Sequence, residues 1–447
     1  MTREEAVQST GRLPKIAFLP CFKNYGETYP LIAMARKYRE RGGEAIFVGF
    51  PGEYDRYARD LGFRLVELVR PPPQESFQEY KRLMGKFQEN QVPQEKLYPF
   101  FFSNGFEGED RIRQEIDIFR REQVDAVVSS FNFTPLISAR AAHLPLVTVL
   151  SGVATASFFE ANRATFPDGF ENSLTRLVPR PIKTWLTNQY ILRLKWGVKW
   201  CNELAEKYHT PHVRRFLDLF RGDETLVLDD LDFVDLQPAS LAAHEHFIGP
   251  IIPEDSTVAD AAMDPDIQAM FDAPGRTVLV ALGTSVIKKI FLDVVTTLGG
   301  TDYKILASYK NLVTEEELPP PRPNVLLRKF FPSIRQLQER ADVSIITGGR
   351  GAVYTAALSG RPVVGIPIQS EQQWNLDNLM RHGVGIQLSK KFFAGKKLTK
   401  AIDTIFRDYD TYLENAKRLK ARMQQSDAPT LAAQRILAIS QSHAYPT

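Results

Sequence analysis

The sequence predicts an α/β protein built from two doubly wound domains that face each other across a cleft. Three observations carry that expectation. Short apolar runs alternate with helix-patterned segments along most of the chain. A glycine- and proline-bearing stretch near residue 250 interrupts the alternation once. At 447 residues, 43% hydrophobic and 24% charged, the chain is long enough for two domains of roughly 200 residues each.

The elements follow in order. KIAFLP (residues 15–20) is an apolar run ending in the loop CFKNYGETYP; the helix pattern LIAMARKYRERGG comes next, and then the run EAIFVGF. That is a βαβ opening, whose right-handed crossover makes the strands parallel neighbours. VDAVVSS (124–130), a helix ending near His143, and LPLVTVL (144–150) repeat it. Pro71–Gly108 is rich in proline, glutamine and phenylalanine, with LYPFFF at 97–102. Arg180–Tyr208 reads as one long amphipathic helix in which Trp185, Tyr190, Trp196 and Trp200 alternate with basic residues. Two roles fit it: an aromatic stripe packed on the core, or an acceptor-binding or membrane-surface element. SLAAHEHFIGPIIPEDS (240–256) reads as a linker. TVLVALGTS, YKILAS, NVLLRKF, VSIITGG and RPVVGIP then supply a second strand series. The expected domains are 1–240, a linker at 241–256, a second domain at 257–425, and a terminal helix at 426–447 that returns to the first domain.

Composition excludes several classes. A net charge of +3 gives no whole-chain case for nucleic-acid binding, and two cysteines supply neither a disulfide framework nor metal-ligand spacing. The polar N-terminus lacks the apolar core of a signal peptide, and no run is long enough to span a bilayer. A cytoplasmic protein is expected, with contact to a membrane surface left open.

Chemistry concentrates at three strand ends in the second domain. VSIITGGRGAVYTAAL is a buried strand, a glycine turn and a helix, so backbone N–H groups at a helix N-terminus face outward, an arrangement suited to phosphate. Gly283, Thr284 and Ser285 end another strand with groups able to face the same anion. IPIQSEQQWN ends a third with a carboxylate and amides suited to hydroxyl groups. These pieces resemble the donor-binding signature of nucleotide-sugar-dependent glycosyltransferases of the GT-B fold, family 1 and the MurG-like family 28. PNVLLRKFFP, GGRG, AALSGRPVVGIP and EQQWN stand in that family's order. YGETYPLIAMARKYRERGGEAIFVG, VDAVVSSFNFTPLISARAAHLPLVTV and FIGPIIP resemble its first-domain segments. Most of the chain is covered, apart from 71–120 and 151–225.

The resemblance implies a role for each matching residue. Thr347, Gly348, Gly349, Arg350 and Gly351 would hold the donor diphosphate, with Thr284 and Ser285 opposite. Phe330, Phe331 and Thr355 would lie by the nucleoside. Glu371 and Gln372 would read the sugar hydroxyls, with Asn375 behind them. The sequence departs from the family where Thr347 replaces a His, Ala352 a Ser or Thr, and Thr355 a Glu that clasps the ribose diol. Three consequences stay open: a deoxyribose donor, other groups holding the ribose, or weakened donor binding. The first loop lacks the family's catalytic His and has Glu27 after Gly26, while Ser129 and Ser130 stand where an orienting Asp is usual. Glu27 is the candidate general base, provided burial raises its pKa. Asp230-Leu231-Asp232 reads as a solvated turn rather than a metal site.

The expected activity is inverting, metal-independent transfer from a UDP- or dTDP-linked sugar to a hydroxyl of a small-molecule or lipid acceptor. The nucleotide sugar is a co-substrate, and no separate cofactor or nucleic-acid partner is expected. A nucleotide-sugar epimerase and a catalytically silent binding protein remain as other readings of the same fold.

Overall fold

The computed structural model describes residues 13–69, 82–87, 91–92, 108–252, 264–283, 286–309, 312–331, 334–391, 393–423 and 427–442. Thr284, Ser285 and LYPFFF lie outside the described residues.

Thirteen strands among these residues form two fully parallel sheets. The first contains β1 (Lys15–Leu19), β2 (Glu44–Gly49), β3 (Arg64–Glu67), β4 (Ala126–Ser130), β5 (Leu146–Leu150), β6 (Glu224–Val227) and β7 (Glu245–Phe247), in the order β3-β2-β1-β4-β5-β6-β7. The second contains β8 (Thr277–Ala281), β9 (Lys304–Ser308), β10 (Val325–Arg328), β11 (Val343–Ile346), β12 (Val363–Gly365) and β13 (Gly385–Gln387), in the order β10-β9-β8-β11-β12-β13. The central strands β1, β4, β5, β8 and β11 are buried along their whole length. That follows from crossover helices covering both faces, and it is why these strands read as continuous apolar runs. Ile16 stands opposite both Ala45 and Ala126, and Ser344 opposite both Leu279 and Val363.

Each sheet reverses its winding beside its first strand, between β1 and β4 and between β8 and β11. Ligands of open parallel sheets bind at such switch points, beyond the carboxyl ends of the strands. The loops leaving β1 and β11 therefore carry the site.

Six helices bear on it: α1 (Tyr25–Glu40), α2 (Arg180–Leu192), α3 (Val198–Lys207), α4 (Arg350–Ser359), α5 (Ser370–Arg381) and α6 (Ala428–Ser442). α6 buries Ala428, Ala432, Ala433, Ile436 and Ile439 against the first domain, in one core with Ile16, Phe18 and Leu31. Two sequence expectations need correction. Glu245–Phe247, inside the expected linker, forms β7, because its residues hydrogen-bond along β6. The single helix expected over 180–208 is two helices: Gly197, at φ 73°, takes the left-handed conformation that breaks the turn between α2 and α3.

Candidate functional site

The first loop builds one wall. Asn24 caps α1, its side-chain oxygen accepting from the Gly26 N–H at 3.0 Å. Its amide Nδ2 donates to Glu27 Oε1 at 2.9 Å, so one residue both starts the helix and aims the carboxylate. Five residues into α1 stands Pro30, which has no N–H for the carbonyl four residues earlier, that of Gly26. Arg350 Nη2 donates to that carbonyl from the second domain at 2.9 Å. The proline leaves an acceptor unoccupied within its own helix, and a side chain 324 positions away takes it.

The second wall is the turn leaving β11. Gly348 has φ +93°, and a Cβ there would lie 2.5 Å from Gln372 O and 2.6 Å from Leu376 Cγ. Only glycine fits. Gly349 is different: it caps α4 at φ −57°, ψ 144°, which any residue can adopt, and a Cβ on it or on Gly351 would meet nothing within 4 Å. The N-terminus of α4 is thus exposed to open space, with the Arg350 guanidinium beside it.

Glu27 and Glu371 share this seam. Burial, then the Glu371 carboxylate, push Glu27 up to about 8; Arg350 and the Asn24 hydrogen bond oppose the shift. Burial also raises Glu371, opposed by its hydrogen bond from Asn375 and by Arg350. Asn375 Nδ2 reaches Gly348 O at 3.1 Å and Glu371 Oε1 at 3.2 Å, tying α5 to the glycine turn. The site can therefore hold a proton on a carboxyl group near neutral pH, next to a cation and a helix N-terminus.

Several anticipated residues point elsewhere. The Thr347 hydroxyl is buried and donates to Leu282 O at 3.0 Å, holding β11 to the end of β8. Gln372 is buried too, and its Oε1 accepts from Ile368 N–H at 2.9 Å, closing the loop after β12. The Thr355 hydroxyl donates back to Gly351 O within α4 at 2.7 Å. Phe330 is 56% exposed, whereas Phe331 is buried. Ser129 Oγ is buried with no hydrogen-bond partner among the described residues, so Asn24 rather than Ser129 orients Glu27.

Sequence reasoning missed the contacts that clasp the two domains. Asp229, one residue before the acidic pair singled out above, is buried and accepts from Tyr354 OH of α4, from Gly152 N–H and from Ser151 Oγ at 3.2 Å. Asp230 itself caps a turn, accepting from the backbone N–H groups of Asp232 and Phe233 at 3.0 and 3.3 Å. Gln373 donates to Thr165 Oγ1 and Phe166 O and accepts from Asp168 N–H, while Trp374 Nε1 donates to Thr165 O at 2.9 Å. Both lie within EQQWN, between the residues assigned to the sugar. The change Tyr354→Phe would leave Asp229 one donor short in a buried setting. We expect it to lower unfolding stability by about 1–3 kcal/mol, read from urea denaturation; an unchanged midpoint would show that the contact adds nothing.

Two doubly wound domains with facing switch points define the GT-B architecture. Residues 293–439 match the family described as "Erythromycin biosynthesis protein CIII-like, C-terminal domain". The chain is 24% identical over 202 residues to "NDP-glycosyltransferase YjiC" of Bacillus subtilis (strain 168), covering 45% of this chain and 49% of that protein, so the match spans about half of that relative. Among solved structures, the glycotransferase of kitacinnamycin superposes with a TM-score of 0.64 at 16% identity, over 96% of this chain and 99% of its own. The glycosyltransferase VinC in complex with dTDP gives 0.61 at 14%, over 96% and 100%. The chain thus resembles family 1-like GT-B glycosyltransferases, in fold along nearly its whole length and in sequence at the family model's residues 293–439.

Proposed function

We propose that the protein transfers a sugar from a nucleoside-diphosphate donor to a hydroxyl of a natural-product-type or lipid acceptor, with inversion and without a metal. The observation that carries this reading is the meeting of Glu27 and the α4 N-terminus across the domain seam, joined by the Arg350–Gly26 hydrogen bond. An acceptor hydroxyl lying against Glu27 would lose its proton to the carboxylate as its oxygen attacks the anomeric carbon. The departing diphosphate would lie against Gly349, Arg350 and Gly351, where the helix N-terminus and the guanidinium stabilise its charge. A single displacement from the Glu27 side inverts the anomeric centre. Glu371, which accepts a hydrogen bond from Asn375, would accept further hydrogen bonds from the sugar. The assignments of the Thr347 and Gln372 side chains to the donor find no support in their buried, backbone-directed hydroxyl and Oε1.

Thr355 supports a deoxyribose donor, because its hydroxyl is engaged within α4 and offers no carboxylate to a ribose diol. The dTDP complex of a structural neighbour agrees with that choice. A thermal-shift panel of UDP, dTDP, GDP and ADP, each with and without a chelator, tests the reading. We expect dTDP to raise Tm at least as much as UDP, with or without chelator. Loss of the shift on chelation would overturn metal independence, and no shift from any nucleotide would leave the silent binding protein as the better reading.

A further inference from the structure

The helix α2 turns most of its large apolar side chains outward. A surface helix normally turns its apolar stripe inward. Here the two fully buried positions are polar, with Ile191 and Leu192 packed on the core beside them: Thr187 and Asn188 are buried, and Asn188 Nδ2 donates to Ala164 O and Thr184 O at 2.8 and 2.7 Å, while its Oδ1 accepts from Ala164 N–H at 3.2 Å. The outward face holds Ile182, Trp185, Leu186 and Tyr190, each between 50% and 60% exposed, at spacings that place them on one side. Leu174 and Leu177, just before the helix, are 77% and 81% exposed. Such a patch marks an interaction surface rather than scattered surface residues.

Charge identifies the partner. Between Glu171 and Glu203 the sequence has six lysines and arginines and no aspartate or glutamate. Lys183 pairs with Glu171 at 2.7 Å and Lys199 approaches Glu203 at 3.8 Å, whereas Arg180 and Lys195 stand exposed at either end of α2. A helix with an outward apolar face, an interfacial Trp and Tyr, and flanking basic residues has the chemistry of an element that lies in a headgroup layer. No helix among the described residues is long and apolar enough to cross a membrane, so insertion would be shallow. We infer that the Leu174–Lys199 face binds an anionic lipid surface. Ala164, which anchors the buried side of α2, directly precedes Thr165, which bonds α5, so the helix lies beside the domain seam. The inference goes beyond the proposed reaction and does not depend on it.

Vesicle co-sedimentation of the full chain, without any donor, tests it. Binding is expected to phosphatidylcholine vesicles containing phosphatidylglycerol, and much less to phosphatidylcholine alone. Trp185→Ser with Leu186→Ser is expected to weaken binding at least about tenfold. Arg180→Glu with Lys195→Glu should weaken it comparably, and salt should weaken the parent protein's binding. All four side chains are exposed, so unchanged circular dichroism and Tm are expected of both variants. No binding, equal binding to both vesicle types, or binding indifferent to both variants would overturn the inference. So would a dimer seen by sedimentation velocity that the Trp185 and Leu186 changes abolish, since the face would then belong to a second copy of the chain.

Discussion

Glu27→Gln is expected to abolish turnover, by about 100-fold or more, while leaving nucleotide binding intact. The amide keeps the shape and the Asn24 contact but cannot take a proton. The unmodified protein supplies a second, independent reading through pH. Burial and Glu371 hold the Glu27 carboxyl up to about 8, so at neutral pH most molecules carry it protonated and unable to act as a base. The pH dependence of kcat/KM should therefore rise through that value and level above it. The stability consequence has the opposite direction. A carboxyl whose folded pKa lies above its unfolded value of about 4.5 binds more protons when folded. Its favourable contribution is complete below the unfolded value and is lost as pH rises toward about 8. Activity and stability should consequently diverge across this window. A flat kcat/KM profile between about pH 6 and about pH 9, or retained turnover in Glu27→Gln, would remove Glu27 from the chemistry.

The second large effect separates two adjacent glycines. Gly349→Leu should fold normally, since the backbone conformation is ordinary and a Cβ meets nothing within 4 Å. It should nevertheless weaken donor binding or turnover by about 100-fold, because the side chain would fill the space beside the α4 N–H groups. Gly348→Ala should do the reverse in kind. Its Cβ would lie 2.5 Å from a backbone oxygen in a left-handed conformation, so lost stability of about 1–3 kcal/mol is expected first. Melting temperature and dTDP affinity, measured on both variants, decide the matter. If Gly349→Leu binds dTDP as tightly as the parent, the turn is a packing device and the diphosphate lies elsewhere.

Pattern in the sequence carried the strands and the turn further than the side chains around them. Parallel strands buried on both faces read as near-continuous apolar runs, so KIAFL and TVLVA announce themselves. A strand that turns at once into a helix beneath close neighbours requires a glycine, which accounts for Gly348, whereas Gly349 and Gly351 are not demanded by packing. The direction of a side chain leaves no such trace. Thr347, Gln372 and Thr355 look like ligand contacts in the sequence, yet the Thr347 and Thr355 hydroxyls and the Gln372 Oε1 bond backbone, because buried polar groups take the nearest partner that satisfies them. α2 left two roles open for a related reason: its 3.6-residue periodicity shows an apolar side, and periodicity is silent on which side faces water.

The sequence by itself determined the two α/β domains, the glycine turn before α4, and a carboxylate in the first loop in place of a histidine. Only the tertiary structure decided that Arg350 donates to Gly26, that Tyr354 reaches Asp229, and that Gln373 and Trp374 clasp the Thr165–Asp168 segment. Helices, strands and turns follow from neighbours a few residues apart, which the sequence lists in order. The clasp joins residues more than a hundred positions apart, and it exists only once two independently patterned domains have packed.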